Sequence, residues 1–339
     1  MRIGVIGAGA WGTALGNLLA GKGYDVDLWA FEEEVCADIM RERENKVFLP
    51  GTRLSENLRP SNDLDEVADQ KEMLLLVVPS HVFRSVAAKL VHHPTESTLI
   101  VSASKGIENE THLTMSGILQ QLLPPRLHGQ LAVLSGPSFA KEVAQKIPTA
   151  VTAATRASDV ATKVQTTFAT PYFRVYTSHD VIGVELGGAA KNVMAIAAGM
   201  SDGLGLGYNT RAALITRGIT EIQRLGIRLG ANPQSFMGLA GIGDLVLTCT
   251  GNLSRNWTVG HKLGQGMKIE TILSQTRTVA EGVKTTKSVY NLSRNLGVEM
   301  PIAEQVYRIL YEDLDPKEAL RILMNRDLRQ EHDEERTAS

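Results

Sequence analysis

Cysteine is scarce in this sequence, with only Cys36 and Cys249 among 339 residues. Two cysteines are too few for a disulfide framework, and their scarcity is typical of a protein that stays in a reducing cytosol. An excess of charge of one sign is also missing, because the formal net charge is only -2. A chain so close to neutral gives no electrostatic reason to expect binding to nucleic acid or to an acidic membrane surface.

Long apolar runs and metal-ligand patterns are rare as well. The apolar N-terminus could be taken for a signal peptide, but it is interrupted by glycines at positions 4, 7, 9, 12 and 16. Only the segment 181–200 is long and apolar enough to span a bilayer, and it carries two charges. The histidines are scattered without the spacing of metal ligands. The sequence therefore predicts a soluble cytoplasmic protein without a metal ion or an integral membrane segment.

A glycine-rich turn, GAGAWG at 7–12, follows the first predicted strand at 2–6 and opens a helical pattern. This strand, turn and helix are the context that a dinucleotide fingerprint requires. Gly7 would make the turn, Gly9 would let a pyrophosphate approach the backbone, and Gly12 would let the helix pack on the strand. A glycine-rich turn without any ligand is the less favoured alternative.

Glu32 follows the second predicted strand, 25–29. It lies roughly twenty residues beyond Gly12, the distance at which an acidic residue would bind the adenosine ribose of NAD. Glu32 also opens a run of three glutamates, 32–34, which could simply favour the N-terminus of the next helix. Both interpretations of Glu32 remain open at the level of the sequence.

Further strands are predicted at 73–78, 98–102, 130–134 and 149–154. Helical segments lie between several of them, which predicts a doubly wound sheet that binds ligands at the carboxyl ends of its strands. Lys105, Gly136 and Ser138 lie at such ends. A lysine after a buried strand is often only a solvated loop charge, but its place on the ligand side favours a function.

From residue 181 onward, helical patterns replace the strands. They cover 181–200, about 211–229, 255–264, 279–295, 301–311 and 316–324. The chain therefore predicts an α/β protein in which a Rossmann-like doubly wound sheet precedes an all-helical C-terminal domain. We predict a dinucleotide-binding domain over residues 1–180, a helical substrate domain over 181–329, and a charged, disordered tail over 330–339.

The predicted helix 181–200 carries Lys191 on a face with few side chains. Positions three and four apart are neighbours on a helix, so Gly187 and Gly188 lie one turn before Lys191. Either another backbone or a ligand could approach the helix at these glycines. The alternative is a lysine whose stem lies along apolar surface while its ammonium group reaches water.

Ser254, Arg255 and Asn256 form a second candidate site. Ser254 is a suitable N-cap, and the next two residues would lie in the first turn of a helix, where free amides and the helix dipole favour an anion. The guanidinium of Arg255 could hold a phosphate by two hydrogen bonds. A capped surface helix without a ligand is the alternative.

Short motifs follow one another through nearly the whole chain. They are GAGAWGTALG at 7–16, FLPG at 48–51, VVPS at 77–80, SKGIE at 104–108, SGPSFA at 135–140, GGAAKNVMAIAAG at 187–199, GIGDLVLTC at 241–249, SRN at 254–256 and VAEG at 279–282. In this order they resemble the bacterial NAD(P)-dependent glycerol-3-phosphate dehydrogenases. The combination of GGAAKN, GPSFA and SRN is highly specific.

The resemblance implies roles for individual residues. Lys191 would be the catalytic acid/base, Lys105 a substrate-binding lysine close to the nicotinamide, and Asp244 the group that orients the lysine or the substrate hydroxyl. The implied substrate site consists of Lys105, Gly136, Ser138, Lys191, Asp244, Ser254, Arg255 and Asn256. The fingerprint and the resemblance together give the candidate contacts of NAD or NADP as Gly7, Gly9, Ala10, Trp11, Gly12, Phe31, Glu32, Lys105, Ala140, Arg255, Val279 and Glu281.

The implied reaction reduces dihydroxyacetone phosphate to sn-glycerol 3-phosphate with NADH or NADPH, for phospholipid synthesis. Its C2 oxygen gains negative charge as the hydride arrives, and an ammonium there could stabilise and then protonate it. The implied partner is this small phosphorylated substrate, and a homodimer is left open. One departure concerns Ala30 and Phe31, which stand where many members carry an arginine or histidine that grips the 2'-phosphate of NADP.

Two other functions remain as alternatives. Another two-domain hydroxyacid dehydrogenase would also offer a lysine on a helical domain, but the SRN segment and the paired lysines argue against it. A dinucleotide-sensing protein without turnover would keep the Rossmann fold, but the presence of Lys105, Lys191 and Asp244 disfavours it.

Overall fold

The computed structural model describes residues 1–275, 280–328 and 330–331. Its strands are β1 (Arg2–Ile6), β2 (Asp25–Trp29), β3 (Leu58–Ser61), β4 (Met73–Leu76), β5 (Leu99–Ser102), β6 (Leu131–Ser135), β7 (Thr149–Ala154) and β8 (Phe173–Ser178). They form one eight-stranded sheet in the order β3-β2-β1-β4-β5-β6-β7-β8. Neighbouring strands are parallel except β6 and β7, which are antiparallel.

Helices separate most of the strands and cover the sheet. They are α1 (Ala10–Gly21), α2 (Glu33–Glu42), α3 (Leu64–Ala68), α4 (Ser80–Lys89), α5 (Met115–Leu122), α6 (Ala140–Ala144) and α7 (Ser158–Phe168). The strand β4, MLLL, shows why both faces need cover. Met73 and Leu75 belong to the apolar core on one face, whereas Leu74 and Leu76 belong to the core on the other.

The region after β8 is helical. Its helices are α8 (Val181–Gly203), α9 (Gly207–Arg228), α10 (Asp244–Thr250), α11 (Arg255–Gly264), α12 (Ile269–Ser274), α13 (Glu281–Leu296), α14 (Pro301–Tyr311) and α15 (Pro316–Met324). Among the described residues, α8 alone is long and apolar enough to cross a membrane, but most of it is buried inside the protein. It packs against α9, α10, α11, α13 and α14, so it is the core helix of this region.

Two glycines bring α8 and α11 into backbone contact. A Cβ atom at Gly199 would overlap the carbonyl oxygen of Trp257, and one at Gly260 would overlap that of Ile196. Any larger residue would push the two helices apart. Since α11 begins at Arg255, this contact fixes the start of α11 beside the middle of α8, where Lys191 lies.

The predicted fold class, a Rossmann-like sheet followed by a helical region, is confirmed. Among the elements, β3, β8, α10 and α12 were not predicted. The strand β3 contains Pro60 and an exposed Arg59, as edge strands do, and β8 is half exposed, so neither shows a continuous apolar run. The sheet ends at Ser178 and α8 begins at Val181, but the predicted domain boundaries stay a prediction. The predicted disordered tail falls mostly on 332–339, outside the described residues.

Candidate active site

The three fingerprint glycines occupy three different environments. Gly7 has a φ of 119°, and a Cβ atom there would lie 2.7 Å from the carbonyl oxygen of Val77. A Cβ atom at Gly12 would overlap the carbonyl oxygen of Gly7, so only glycine lets α1 pack on the turn. No atom lies within 4 Å of a Cβ built at Gly9. The space above Gly9 is open, as the approach of a pyrophosphate requires.

The N-terminus of α1 offers unpaired donors beside this space. Gly9 caps the helix without a side-chain bond, and the first turn, which begins at Ala10, contains no acidic residue. The free amides and the helix dipole therefore favour an anion. Trp11 Nε1 is buried without a hydrogen-bond partner in the described part of the chain. The helix α6, which begins at Ala140, packs against α1. These features fit the pyrophosphate of a dinucleotide.

Phe31 and Glu32 follow β2 at the same edge of the sheet. Phe31 is 77% exposed, and its ring meets that of Trp29 edge-on at 6.1 Å. Glu32 is the N-cap residue of α2, but its side chain makes no capping hydrogen bond. Glu33 and Glu34 lie in the first turn of α2, where acidic residues favour the helix N-terminus, so both interpretations of Glu32 remain open.

A single carboxylate joins the two candidate lysines. Lys191 Nζ donates to Asp244 Oδ1, and Lys105 Nζ donates to Asp244 Oδ2 at 2.6 Å. Lys105 Nζ also donates to the carbonyl oxygen of Gly136 at 3.1 Å, and Ser138 Oγ donates to the same oxygen at 2.9 Å. The two ammonium groups therefore face one another across Asp244, at the carboxyl ends of β5 and β6.

Thr248 belongs to this cluster, although sequence reasoning did not single it out. Its hydroxyl accepts a hydrogen bond from Lys191 Nζ at 2.7 Å and donates to the carbonyl oxygen of Asp244 at 2.6 Å. Thr248 lies four residues after Asp244 and therefore on the same face of α10. That spacing was the available signal, but it becomes informative only when the segment is known to be helical.

Gly187 and Gly188 make room for protein rather than for a ligand. A Cβ atom at Gly187 would lie 2.5 Å from the carbonyl oxygen of Ala240, and one at Gly188 would overlap Ser135 Oγ. The sequence left open whether another backbone or a ligand approaches this face. In the structure, the backbone of Ala240 and the side chain of Ser135 occupy it. The glycines act indirectly, because they let α8 lie close to β6 and to the segment before Asp244.

Lys191 is buried, with 6% of its surface exposed, and Asp244 is completely buried. The loss of hydration lowers the pKa of Lys191 from 10.5 to about 8. The negative charge of Asp244 opposes this shift, whereas the positive charge of Lys105 adds to it. A lysine with a pKa near 8 can act both as a proton donor and as a proton acceptor near neutral pH.

The SRN segment forms a second cluster at the start of α11. Ser254 caps the helix by accepting a hydrogen bond from the amide of Trp257 at 3.2 Å. Asn256 Oδ1 accepts from the amide of Gly282 at 2.9 Å, which ties α11 to the first turn of α13. A Cβ atom at Gly282 would also lie 2.7 Å from the carbonyl oxygen of Asn192, next to Lys191. The SRN segment and the lysine pair are thus neighbours.

Arg255 remains accessible within this cluster. Its side chain is exposed to solvent but lies among many protein atoms. The partial loss of hydration lowers the pKa of the guanidinium. The nearby carboxylate of Glu281 acts in the opposite direction. No hydrogen bond from Arg255 is formed within the described ranges of the chain. A solvent-accessible guanidinium lining a cleft, with its donors unused, is suited to hold an anionic ligand.

The predicted site residues lie along one edge of the sheet, at the carboxyl ends of its strands. Following the strand order from β2 to β6, the edge carries the predicted residues Phe31 with Glu32, Gly7, Lys105 and Gly136, and Ser80, which was not predicted as a site residue, follows β4 between Gly7 and Lys105. This order gives an extended site with the adenosine candidates at one end and the lysine pair at the other. Val279, a predicted cofactor contact, lies outside the described residues.

The fold and the site define a class of protein: a dinucleotide-binding Rossmann sheet joined to a helical region that presents a buried lysine to the sheet's ligand edge. The chain matches the family models described as the N-terminus of NAD-dependent glycerol-3-phosphate dehydrogenase over residues 2–161 and as its C-terminus over residues 180–321. The chain therefore belongs to the NAD-dependent glycerol-3-phosphate dehydrogenase family, and the resemblance carried by the motifs is confirmed.

Individual relatives agree with this assignment over nearly their whole length. The chain is 57% identical over 329 residues to the glycerol-3-phosphate dehydrogenase (NAD(P)+) of Syntrophobacter fumaroxidans, with 97% of each protein covered. It is 57% identical to that of Geobacter metallireducens, with 96% of this chain and 97% of the relative covered. The crystal structure of glycerol-3-phosphate dehydrogenase from Coxiella burnetii has a TM-score of 0.91 and 41% identity, covering 96% of this chain and 99% of that one.

Proposed function

We propose that this protein interconverts dihydroxyacetone phosphate and sn-glycerol 3-phosphate as an NAD(P)-dependent dehydrogenase. The observation that carries the proposal is the bridge from Asp244 to both Lys191 and Lys105 at the ligand edge of the sheet. Membership of the family supports it. Dihydroxyacetone phosphate, a small phosphorylated molecule, would be the substrate, and glycerol 3-phosphate would serve phospholipid synthesis in the cytoplasm.

Lys191 would move the proton in this reaction. When bound, the nicotinamide supplies or accepts the hydride. In the reductive direction, the Lys191 ammonium stabilises the negative charge that develops on the C2 oxygen of the substrate and then donates a proton to it. In the oxidative direction, the neutral amine of Lys191 accepts the hydroxyl proton, and its lowered pKa makes that form available.

Asp244 and Lys105 would tune and orient this lysine. Asp244 holds Lys191 Nζ in place and keeps the ammonium form stable in spite of burial, while Lys105 favours the neutral form. Lys105 already donates to Asp244 and to the carbonyl oxygen of Gly136, so one of its three N–H donors remains for the substrate oxygen. Gly136 and Ser138 would form the wall of the substrate site beside it.

The SRN segment would bind the substrate phosphate. Arg255 has an accessible guanidinium, and Ser254 and Asn256 fix the helix start on which it lies. Binding energy from the phosphate, which does not react, can align C2 with the reacting groups. Lys191 would therefore transfer the proton, and Arg255 would bind the phosphate of the substrate.

We expect the adenosine end of the site to accept NADH at least as well as NADPH. Ala30 is buried, Phe31 carries no charge, and Glu32 would bring a carboxylate close to a 2'-phosphate. We therefore expect kcat/KM with NADH to be at least equal to kcat/KM with NADPH, measured at saturating dihydroxyacetone phosphate. Replacing Glu32 with glutamine should lower kcat/KM with NADH more than kcat/KM with NADPH. A strong preference for NADPH in the unaltered protein would show that a cation distant in sequence accepts the phosphate.

The pKa of Lys191 predicts opposite pH profiles for the two directions. Reduction needs the ammonium, so its rate should fall as the pH rises through about 8, whereas oxidation needs the amine and should rise through the same range. Because the unfolded lysine keeps its proton up to 10.5, the unfolded chain binds more protons between about 8 and 10.5. Lys191 should therefore add stability with rising pH in that window. If the rates of reduction and of oxidation both rose, or both fell, as the pH increases through about 8, this role of Lys191 would be contradicted.

A direct assay tests the proposed function. We expect the purified protein to oxidise NADH or NADPH rapidly only when dihydroxyacetone phosphate is added. Reduction of NAD+ or NADP+ with 3-hydroxyacids or 6-phosphogluconate, without activity on dihydroxyacetone phosphate, would identify another two-domain hydroxyacid dehydrogenase. Cofactor binding without turnover on any substrate would identify a dinucleotide-sensing protein.

The same proposal assigns the two halves of the chain. Residues 1–180 would bind the dinucleotide, and residues 181–329 would supply most of the substrate site. Analytical ultracentrifugation would establish whether the protein forms a homodimer.

A further inference from the structure

A serine on the dinucleotide-binding sheet holds the start of α13. Ser80 Oγ donates to Glu281 Oε2 at 2.6 Å, and the Ser80 amide donates to Glu281 Oε1 at 3.3 Å. Ser80 is the first residue of α4, after β4, and Glu281 is the first residue of α13. The two groups are separated by 201 positions in the sequence, so this contact joins the two parts of the protein.

The contact also reaches the loop of Lys105. A Cβ atom at Gly106 would overlap the Cβ atom of Ser80 and would lie 3.8 Å from Glu281 Oε2. The backbone after Lys105 therefore rests directly on the pair of Ser80 and Glu281. Two turns along α13, Ser288 Oγ lies 2.8 Å from the carbonyl oxygen of Ile107, within hydrogen-bond distance. The Lys105 loop and α13 are thus held together at two places.

The other side of the same turn faces the SRN segment. Glu281 attracts the Arg255 guanidinium electrostatically, and the next residue, Gly282, donates its amide to Asn256. Burial raises the pKa of the Glu281 carboxyl, and the two hydrogen bonds from Ser80 act against that rise. Without the Ser80 hydroxyl, this desolvated carboxylate would keep only the longer hydrogen bond from the amide of residue 80, at 3.3 Å, and could shift toward Arg255 or away from it.

We propose that Ser80 is a positioning residue for the substrate phosphate: by holding Glu281 it fixes the first turn of α13 between Arg255 and Lys105. In the proposed function, Arg255 would bind the phosphate and Lys105 the reacting end of the same substrate. This inference rests on the proposed function, because it takes Arg255 as the phosphate anchor. Ser80 would act through Glu281, to which its hydroxyl and its amide both donate, and not by binding the phosphate itself.

The test compares Ser80→Ala with the unaltered enzyme on a phosphorylated and an unphosphorylated substrate. We expect the KM for dihydroxyacetone phosphate to rise about 5- to 20-fold, less than for the direct loss of a hydrogen bond between the substrate and a charged group, with kcat changed less than about threefold. The kcat/KM for dihydroxyacetone should stay within about twofold, and the affinity for NADH should fall less than the KM for dihydroxyacetone phosphate rises, although Glu281 is also a candidate cofactor contact. Ser85→Ala is the matched control, because the Ser85 hydroxyl bonds only to the carbonyl oxygen of Val82 within α4.

A double-mutant cycle separates positioning from general structure. If Ser80 acts through Arg255, the variant with both Ser80→Ala and Arg255→Ala should bind dihydroxyacetone phosphate no worse than Arg255→Ala alone. Glu281→Gln, which keeps the shape and weakens the contact, gives a second measurement should Ser80→Ala fold poorly, and should raise the same KM. Additive losses, equal losses with both substrates, or an effect confined to NADH affinity would overturn the inference.

The outcomes also distinguish this inference from the proposed function. If Arg255→Ala raises the KM for dihydroxyacetone phosphate but Ser80→Ala and Glu281→Gln leave it unchanged, only the positioning inference fails. If Arg255→Ala itself leaves that KM unchanged, the phosphate-binding part of the proposed function fails, and the positioning inference falls with it.

Discussion

Replacing Lys191 with methionine should reduce turnover by a factor of about 100 to 10,000, the range typical of losing a general acid. Methionine keeps nearly the whole apolar stem inside α8 and removes only the ammonium. The affinity for NADH should barely change, because the glycines at 7–12 lie at the other end of the extended site. The measurements are kcat with dihydroxyacetone phosphate and the dissociation constant of NADH.

The stability of this variant should hold or rise. Asp244 keeps Lys105 as a partner at 2.6 Å, so the substitution does not leave a buried carboxylate unpaired. An apolar side chain replaces a desolvated ammonium, which is often neutral or stabilising. Lys287→Met, at an exposed position of α13, is the control and should change neither turnover nor stability. Near-normal turnover of the Lys191 variant would mean that Lys191 is only a buried structural lysine.

Replacing Arg255 with alanine should raise the KM for dihydroxyacetone phosphate while affecting dihydroxyacetone little. Loss of a bidentate bond to phosphate should cost about 2 to 4 kcal/mol of transition-state stabilisation, judged from kcat/KM. The physical reason is that the Arg255 guanidinium is accessible and donates no hydrogen bond in the described part of the protein. Its N–H groups are therefore available to a phosphate. Steady-state kinetics with both substrates would measure the difference.

A matched variant shows whether the effect is specific. Arg53→Ala removes an exposed guanidinium whose ion pair with Glu56 is long, at 3.5 Å, and should leave both substrates unaffected. Equal losses of kcat/KM with dihydroxyacetone and its phosphate in the Arg255 variant would place Arg255 elsewhere in the site. Such a result would leave the role of Lys191 intact, because the two predictions depend on different groups.

Local features of the site could be read from the sequence. Gly7 needs a positive φ, and Gly12 packs onto the turn that Gly7 makes, so both constraints act within a few residues. Ser254 caps α11 as predicted, because an N-cap bonds to an amide only three residues away. Lys105 and Lys191 stood out by their places in the sequence, and the resemblance to a family added their roles and Asp244, but no local rule predicts that the three lie together.

Other features depended on how the elements pack. The sequence predicted neither that β7 runs antiparallel to β6 nor that α10 places Thr248 against Lys191. The helix α10 is short, and its first residues follow a glycine-rich turn that reads as a loop. The glycines at 187 and 188 could have faced a ligand or a backbone. Only the packing of Ala240 and Ser135 against them shows that they make room for protein atoms.

The sequence by itself therefore determined the Rossmann fingerprint, the cap of α11, the apolar core strands and the family, because each depends on short-range geometry or on the order of motifs. Only the tertiary structure decided that Asp244 joins Lys105 to Lys191 and that Ser80 holds Glu281. Asp244 and Lys105 are 139 positions apart, and Ser80 and Glu281 are 201 apart. Hydrogen bonds and pKa shifts change over a few ångströms, and such distances are set by the packing of whole helices on the sheet.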